Sequence, residues 1–225
     1  MRKIQRLAAV GVMAALTAAL GACSSAQTPA NPPAAAPADE PAATSEAAIP
    51  STGITQIGEI FGPACSQVPA TGEGSAQGMV DDPVATAASN NPLLTTLVKA
   101  VTAAKLGDTL NSAEAITVFA PYDDAFKALD AKSPGTVTKL TTDPNAASPD
   151  SQLAKILKYH VVGKRYDAAG IVQQGALPTL AGSTLTIGGT ALAPTVNGAK
   201  VLCGNIPTKN ATVFVIDSVL TPPAT

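Results

Sequence analysis

The chain has 225 residues, with 14 Lys and Arg against 16 Asp and Glu, a formal charge of −2. Charged residues make up 13% and aromatics 3%, with one His, three Cys and no Trp. No basic surplus exists to neutralise phosphates, which argues against nucleic acid as a partner, and one His with three Cys is a poor set for a zinc site.

The N-terminus carries Arg2, Lys3 and Arg6, then an apolar run of 14 residues from Leu7 to Leu20, then Gly21-Ala22-Cys23. A basic start, a short apolar stretch and small residues before a cut site form a secretory signal. As a helix the run reaches about 21 Å, short of the ~30 Å hydrocarbon core of a bilayer. Leu20-Gly21-Ala22-Cys23 resembles a bacterial lipobox, which implies removal of residues 1–22 and acylation of Cys23 by a diacylglyceryl group with chains such as palmitate. The expected product is anchored to a membrane and does not span it. Loss of three basic residues leaves 11 basic against 16 acidic side chains, so anionic headgroups add no attraction beyond the anchor.

Residues 24–51 hold ten Ala and six Pro in 28 positions. Such a composition buries too little to offset ordering entropy, and its prolines favour extension. A flexible linker over 23–53 is expected, able to hold a domain up to ~85 Å from its anchor at about 3.1 Å per residue. Folded structure is expected from near Ile54.

With Cys23 acylated, Cys65 and Cys203 remain in an oxidising compartment, where a disulfide is favoured over two free buried thiols. The closed loop would span 139 residues.

Helix signals dominate the first half of the domain. Asn91-Pro92 suits an N-cap and first helical residue, followed by the apolar face Leu93, Leu94, Leu97, Val98 and Val101. Ser148-Pro149-Asp150 is expected to open another helix, with Leu153, Ile156 and Leu157 on its buried stripe. Shorter helices are expected at 82–90, 122–130, 133–141 and 167–174. Ile116 to Ala120 reads as a strand ending at Pro121, and Tyr159 to Val162 as a second. Thr184 to Ile187 with a Gly188-Gly189 hairpin turn, Lys200 to Cys203, and Thr212 to Ile216 complete the strands. Helices grouped ahead of a mostly antiparallel sheet predict an α+β fold.

Three segments carry a family resemblance. Thr117-Val118-Phe119-Ala120-Pro121-Tyr122-Asp123-Asp124-Ala125-Phe126 resembles the first signature of fasciclin domains, a strand breaking at Pro into a helix. Leu157-Lys158-Tyr159-His160-Val161-Val162 resembles that family's Tyr-His segment, and Asn210 to Leu220 its closing signature. They occur in family order. With the lipobox and two further Cys, the chain resembles the mycobacterial surface-lipoprotein and secreted-antigen branch of the family. The resemblance implies a single fasciclin-like domain over 54–225, helices packed on an antiparallel wedge or sandwich. It also implies a monomer that engages proteins on host or neighbouring cells or in the extracellular matrix, without cofactor, metal or catalysis. The expected location is the cell membrane, lipid-anchored and facing outside at the cell surface, with a released form left as an open alternative.

Tyr159 and His160 are the candidate contact residues, since this segment is linked to cell binding in the family. The reading that fits better is a buried His160 whose ring nitrogens satisfy backbone groups, with Tyr159 packed beside it. Asp123 and Asp124 could hold a cation, but adjacent carboxylates point apart on a helix, and a helix-start role fits better. Asn210-Ala211-Thr212 matches a glycosylation sequon but suits a turn before the last strand. No Gly-x-Ser-x-Gly elbow or phosphate-binding Gly loop occurs, and a Ser-His-Asp triad could run only through His160. Two other readings are a carrier of a small apolar ligand and a structural envelope protein. Low aromatic content argues against a large ligand pocket.

Overall fold

Apolar residues spaced three and four apart become short helices in the first half of the computed structural model, which describes residues 53–223. The signal peptide, Cys23 and the rest of the expected linker before Gly53 lie outside the described residues. Among the described residues the helices are α1 (Ala76–Met79), α2 (Val84–Asn90), α3 (Thr95–Ala103), α4 (Gly107–Ser112), α5 (Asp123–Lys132), α6 (Thr136–Thr142), α7 (Gln152–Tyr159) and α8 (Ala168–Gln174). The strands are β1 (Ile116–Pro121), β2 (Val161–Val162), β3 (Ala176–Pro178), β4 (Thr184–Thr190), β5 (Ala193–Val196), β6 (Ala199–Pro207) and β7 (Ala211–Ile216).

Caps set the helix starts. The Asn91 side chain accepts from Leu93 N–H at 3.0 Å and opens a 3₁₀ turn over Pro92–Leu94 that leads into α3. Helix α7 begins later than Ser148-Pro149-Asp150 suggested. Ser151 is its cap, accepting from Ala154 N–H at 3.0 Å while donating to the Ala146 carbonyl at 2.9 Å. Asp167 caps α8 by accepting from Gly170 N–H at 2.7 Å.

The seven strands form one sheet in the order β2-β1-β7-β6-β5-β4-β3. β1 and β7 run parallel, in register from Ile116↔Ala211 to Pro121↔Ile216, and every other neighbouring pair is antiparallel. The sheet curls back on itself. Val162 of β2 bridges Thr179, just beyond β3, and Leu180 N–H donates to the Val161 carbonyl at 2.8 Å, so the two edges nearly meet in a wedge.

β1 and β7 are buried on both faces, as a parallel pair requires. Val118 and Ala120 of β1 face a core shared with α3, α5 and α7, together with Val213 and Val215 of β7. Phe119, Phe214 and Ile216 point the other way, into a second core inside the curl with Leu177, Leu185 and Val196. The Phe119 and Phe214 rings sit 5.6 Å apart, tilted by 31°, a geometry that adds about 0.5–1.5 kcal/mol beyond burial. The α+β expectation, with helices on a mostly antiparallel sheet, matches this architecture.

Several local expectations need correcting. Tyr159 ends α7 and His160 is its cap, so the strand there is only Val161–Val162. Gly188 and Gly189 lie inside β4 opposite Thr195 and Pro194 and do not form the hairpin turn. Gly189 is needed for another reason. Its φ is +81°, and a Cβ there would meet the Ala193 carbonyl oxygen at 2.2 Å. The tight hairpin of this region is Asn197-Gly198 between β5 and β6, both with positive φ.

Candidate functional site

Helix α7 turns its apolar stripe inward and carries the Tyr-His segment with it. Tyr159 is 2% exposed. Its hydroxyl donates to the Thr184 carbonyl at 3.2 Å and accepts from Asn197 Nδ2 at 2.7 Å, which ties α7 to β4 and to the β5–β6 turn. His160 is 3% exposed. Its Nε2 accepts from Leu220 N–H at 3.0 Å, so Nδ1 holds the proton and donates to the Ile156 carbonyl at 2.8 Å. Burial pushes the imidazole down to about 4, against a smaller upward pull from the Ile156 carbonyl. The ring is therefore neutral at physiological pH, with both nitrogens committed.

These positions agree with the reading of a buried His160 satisfied by backbone groups, with Tyr159 beside it, and not with a direct contact role for either side chain. Neither side chain offers accessible surface to a protein partner. They hold α7, the C-terminal stretch and the sheet in place.

Asp123 and Asp124 are also accounted for. Asp123 accepts from Thr95 Oγ1 at 2.7 Å and Thr96 N–H at 2.8 Å, which caps the start of α3. Asp124 pairs with Lys127 at 2.6 Å, both exposed. No group of three or more His, Cys, Asp or Glu able to hold a metal occurs among the described residues. Cys65 and Cys203 are bonded, with Cα atoms 4.9 Å apart, joining the turn at Cys65–Gln67 to β6.

Asn210 lies in the turn between β6 and β7, as its sequence suggested, but the anchoring roles of Asn210 and Arg165 had no signal in the sequence. The Asn210 side chain accepts from Val84 N–H at 2.9 Å and donates to the Leu110 and Ala113 carbonyls at 2.8 and 2.7 Å, fastening β7 to α2 and α4. It is 7% exposed, so this amide is a structural latch. Arg165 donates to the carbonyls of Thr208 and Ala211 at 2.9 and 2.7 Å and to Thr212 Oγ1 at 3.1 Å. Thr212 in turn donates to the Gly53 carbonyl at 2.7 Å, fixing the entry of the chain into the domain.

A concavity lies among α2, α3, α4, α7 and β2. It encloses about 330 Å³. Val84 and Ala88 of α2, Val98 and Val101 of α3, Leu157 of α7 and Val161 of β2 all line it. His160 contributes to its wall, and Leu180, 48% exposed, borders it. The scarcity of aromatics argued against such a space, but the lining is aliphatic, so aromatic content was no guide to it. A smaller cavity of about 90 Å³ lies by α5, α6 and α7, with Leu97, Leu157 and His160 common to both.

Comparison with known proteins agrees with the geometry. The family model described as the fasciclin domain matches residues 92–222. The chain is 45% identical over 175 residues to the immunogenic protein MPB70 of Mycobacterium bovis, covering 74% of this chain and 84% of that protein. It is 42% identical over 192 residues to the cell surface glycolipoprotein MPT83 of Mycobacterium tuberculosis, covering 81% and 82%. Protein sll1483 of Synechocystis is 41% identical over 136 residues, covering 60% of this chain and 71% of that one. Among solved structures, a FAS1 domain pair from the insect cell adhesion molecule fasciclin I superposes with a TM-score of 0.56 at 21% identity, over 64% of this chain and 52% of that one. The chain thus spans about half of that two-domain structure, and the likeness is one of fold. A family model over more than half of the chain and relatives above 40% identity across most of its length lead to one conclusion: the chain belongs to the fasciclin-domain family.

Proposed function

We propose that this protein is a lipid-anchored surface module that engages other cells, host receptors or matrix through protein contacts, without catalysis. The observation that carries the reading is the 42% identity, over most of both chains, to a relative described as a cell surface glycolipoprotein. The immunogenic relatives support an extracytoplasmic location. Cys23 would hold the anchor and the Ala/Pro-rich segment would carry the domain outward. The Cys65–Cys203 bond suits an oxidising compartment. The sole His has both ring nitrogens bonded to backbone groups, which leaves it no capacity as a general base.

With Tyr159 and His160 buried, contact falls to exposed side chains. Leu192, 78% exposed between β4 and β5, is the most prominent large apolar one among the described residues. The test compares the acylated chain with the full chain carrying Cys23→Ser, on host cells and immobilised matrix proteins. Saturable binding by the Cys23→Ser chain, weakened severalfold by Leu192→Asp, is the expected result. Activity confined to the acylated form would make the lipid the signal and the domain its display scaffold, and would overturn the adhesion reading.

A further inference from the structure

We propose that the crevice beside α2, α3 and α4 binds the hydrocarbon tail of one single-chain amphiphile with an anionic head, such as a free fatty acid. Protein interiors are close-packed, and voids much larger than a water are few. Here about 330 Å³ stays open because the helices present short side chains. Ala85 and Ala88 of α2 and Val98 and Val101 of α3 line it with side chains of one to three carbons. At about 30 Å³ for a water-sized group, the space takes roughly eleven methylene-sized groups, the tail of a chain of about twelve carbons. The volume sits at the low end of the ~300–1,000 Å³ range of small-molecule sites, too small for a folded partner's side and sufficient for one chain.

The head follows from charge. Two ionic side chains border the crevice, Lys158 and Asp108. Asp108 is exposed, whereas the Lys158 stem is half-buried beside Leu157 and carries its ammonium out to the solvent, where an amphiphile's head would sit. The Lys158 ammonium donates to a neutral acceptor, the Pro149 carbonyl, at 3.0 Å. The ion pair found among the described residues belongs to Lys127 and Asp124, so Lys158 has no carboxylate of the described residues within ion-pair distance. A carboxylate head at this end would supply one, with the tail lying along α3.

The test is calorimetric titration of the full chain carrying Cys23→Ser with dodecanoate below its micellar concentration, beside dodecanol and dodecylammonium. One-to-one saturable binding of dodecanoate is expected, at least tenfold tighter than dodecylammonium. Val98→Phe, and independently Val101→Phe, fill the crevice and should each abolish binding while the melting temperature shows an intact fold. Lys158→Met should weaken dodecanoate about tenfold and leave dodecanol unchanged. Absence of saturable binding, dodecylammonium binding as tightly as dodecanoate, or full affinity in both Phe variants would each overturn the proposal. So would binding lost in the acylated chain, since the crevice would then serve the protein's own lipid.

Discussion

At the scale of single residues, His160 couples the fold to pH. Unfolded, its imidazole takes a proton near 6.5, whereas in the fold burial holds that uptake down to about 4. Between these values the unfolded state binds more protons than the folded one, so stability falls as pH drops from about 6.5 to about 4 and levels off below. The difference corresponds to about 3 kcal/mol. Urea unfolding of the wild type and of His160→Gln at pH 7, 5 and 4 checks this. The wild type should lose about that much more than the variant across the window, and parallel curves for the two would refute the assignment. His160→Ala should itself cost roughly 3 kcal/mol at neutral pH, because it strands the Leu220 N–H and the Ile156 carbonyl in a buried site. The sequence already suggested a buried Tyr159-His160 pair, but the backbone groups that satisfy the ring were not visible there. One ring nitrogen is satisfied four residues back and the other sixty residues on, and only the first distance is local enough to suspect from α7 alone.

At the scale of elements, β7 holds the helical layer through Asn210. Asn210→Ala would leave the Val84 N–H and two carbonyls unpartnered where α2 and α4 meet the sheet. A loss of about 2–4 kcal/mol is expected in denaturant melts, with amide exchange quickening first in α2 and α4; unchanged exchange there would show that Asn210 is no latch. Strands with dense β-branched and aromatic content were legible, since β1 and β7 announce themselves as Thr-Val-Phe runs. The parallel pairing of these two was not, because it depends on a chain crossing from residue 121 to residue 211. Helix α4 was missed because Gly107 to Ser112 offers one large apolar residue, Leu110. The hairpin was misplaced because two adjacent glycines looked like a turn, although Gly189 serves a close backbone approach within β4. Asn197-Gly198, the stronger hairpin signal, was in plain view. There the Asn197 side chain also accepts from Thr186 N–H at 2.7 Å and reaches Tyr159, so one dipeptide serves both the turn and the interior.

At the scale of the whole molecule, the segment from Gly53 to Val68 contributes little regular structure of its own and depends on attachments to the sheet. Phe61 bridges Gly204, Ala64 N–H donates to the Leu202 carbonyl at 3.0 Å, and Cys65 is bonded to Cys203 of β6. The bond closes a loop that runs through every helix and nearly every strand, with a sequence separation of 138. In the chain-entropy account a loop of that length removes so much freedom from the unfolded chain that the fold gains up to about 5 kcal/mol. For a domain of this size 1 kcal/mol moves the melting temperature by about 2–4 °C, so reduction should lower it by roughly 10–20 °C. Scanning calorimetry with and without a phosphine reductant, beside the Cys65→Ser/Cys203→Ser double variant, measures the effect. Reduced wild type and double variant should melt together, well below the oxidised protein, and hydrogen exchange should show the 53–68 segment loosening before β1 and β7. A melting temperature that stays put with both thiols accessible would mean that the hydrogen bonds of Phe61 and Ala64 already hold the segment down, and that the long loop contributes nothing in the unfolded state.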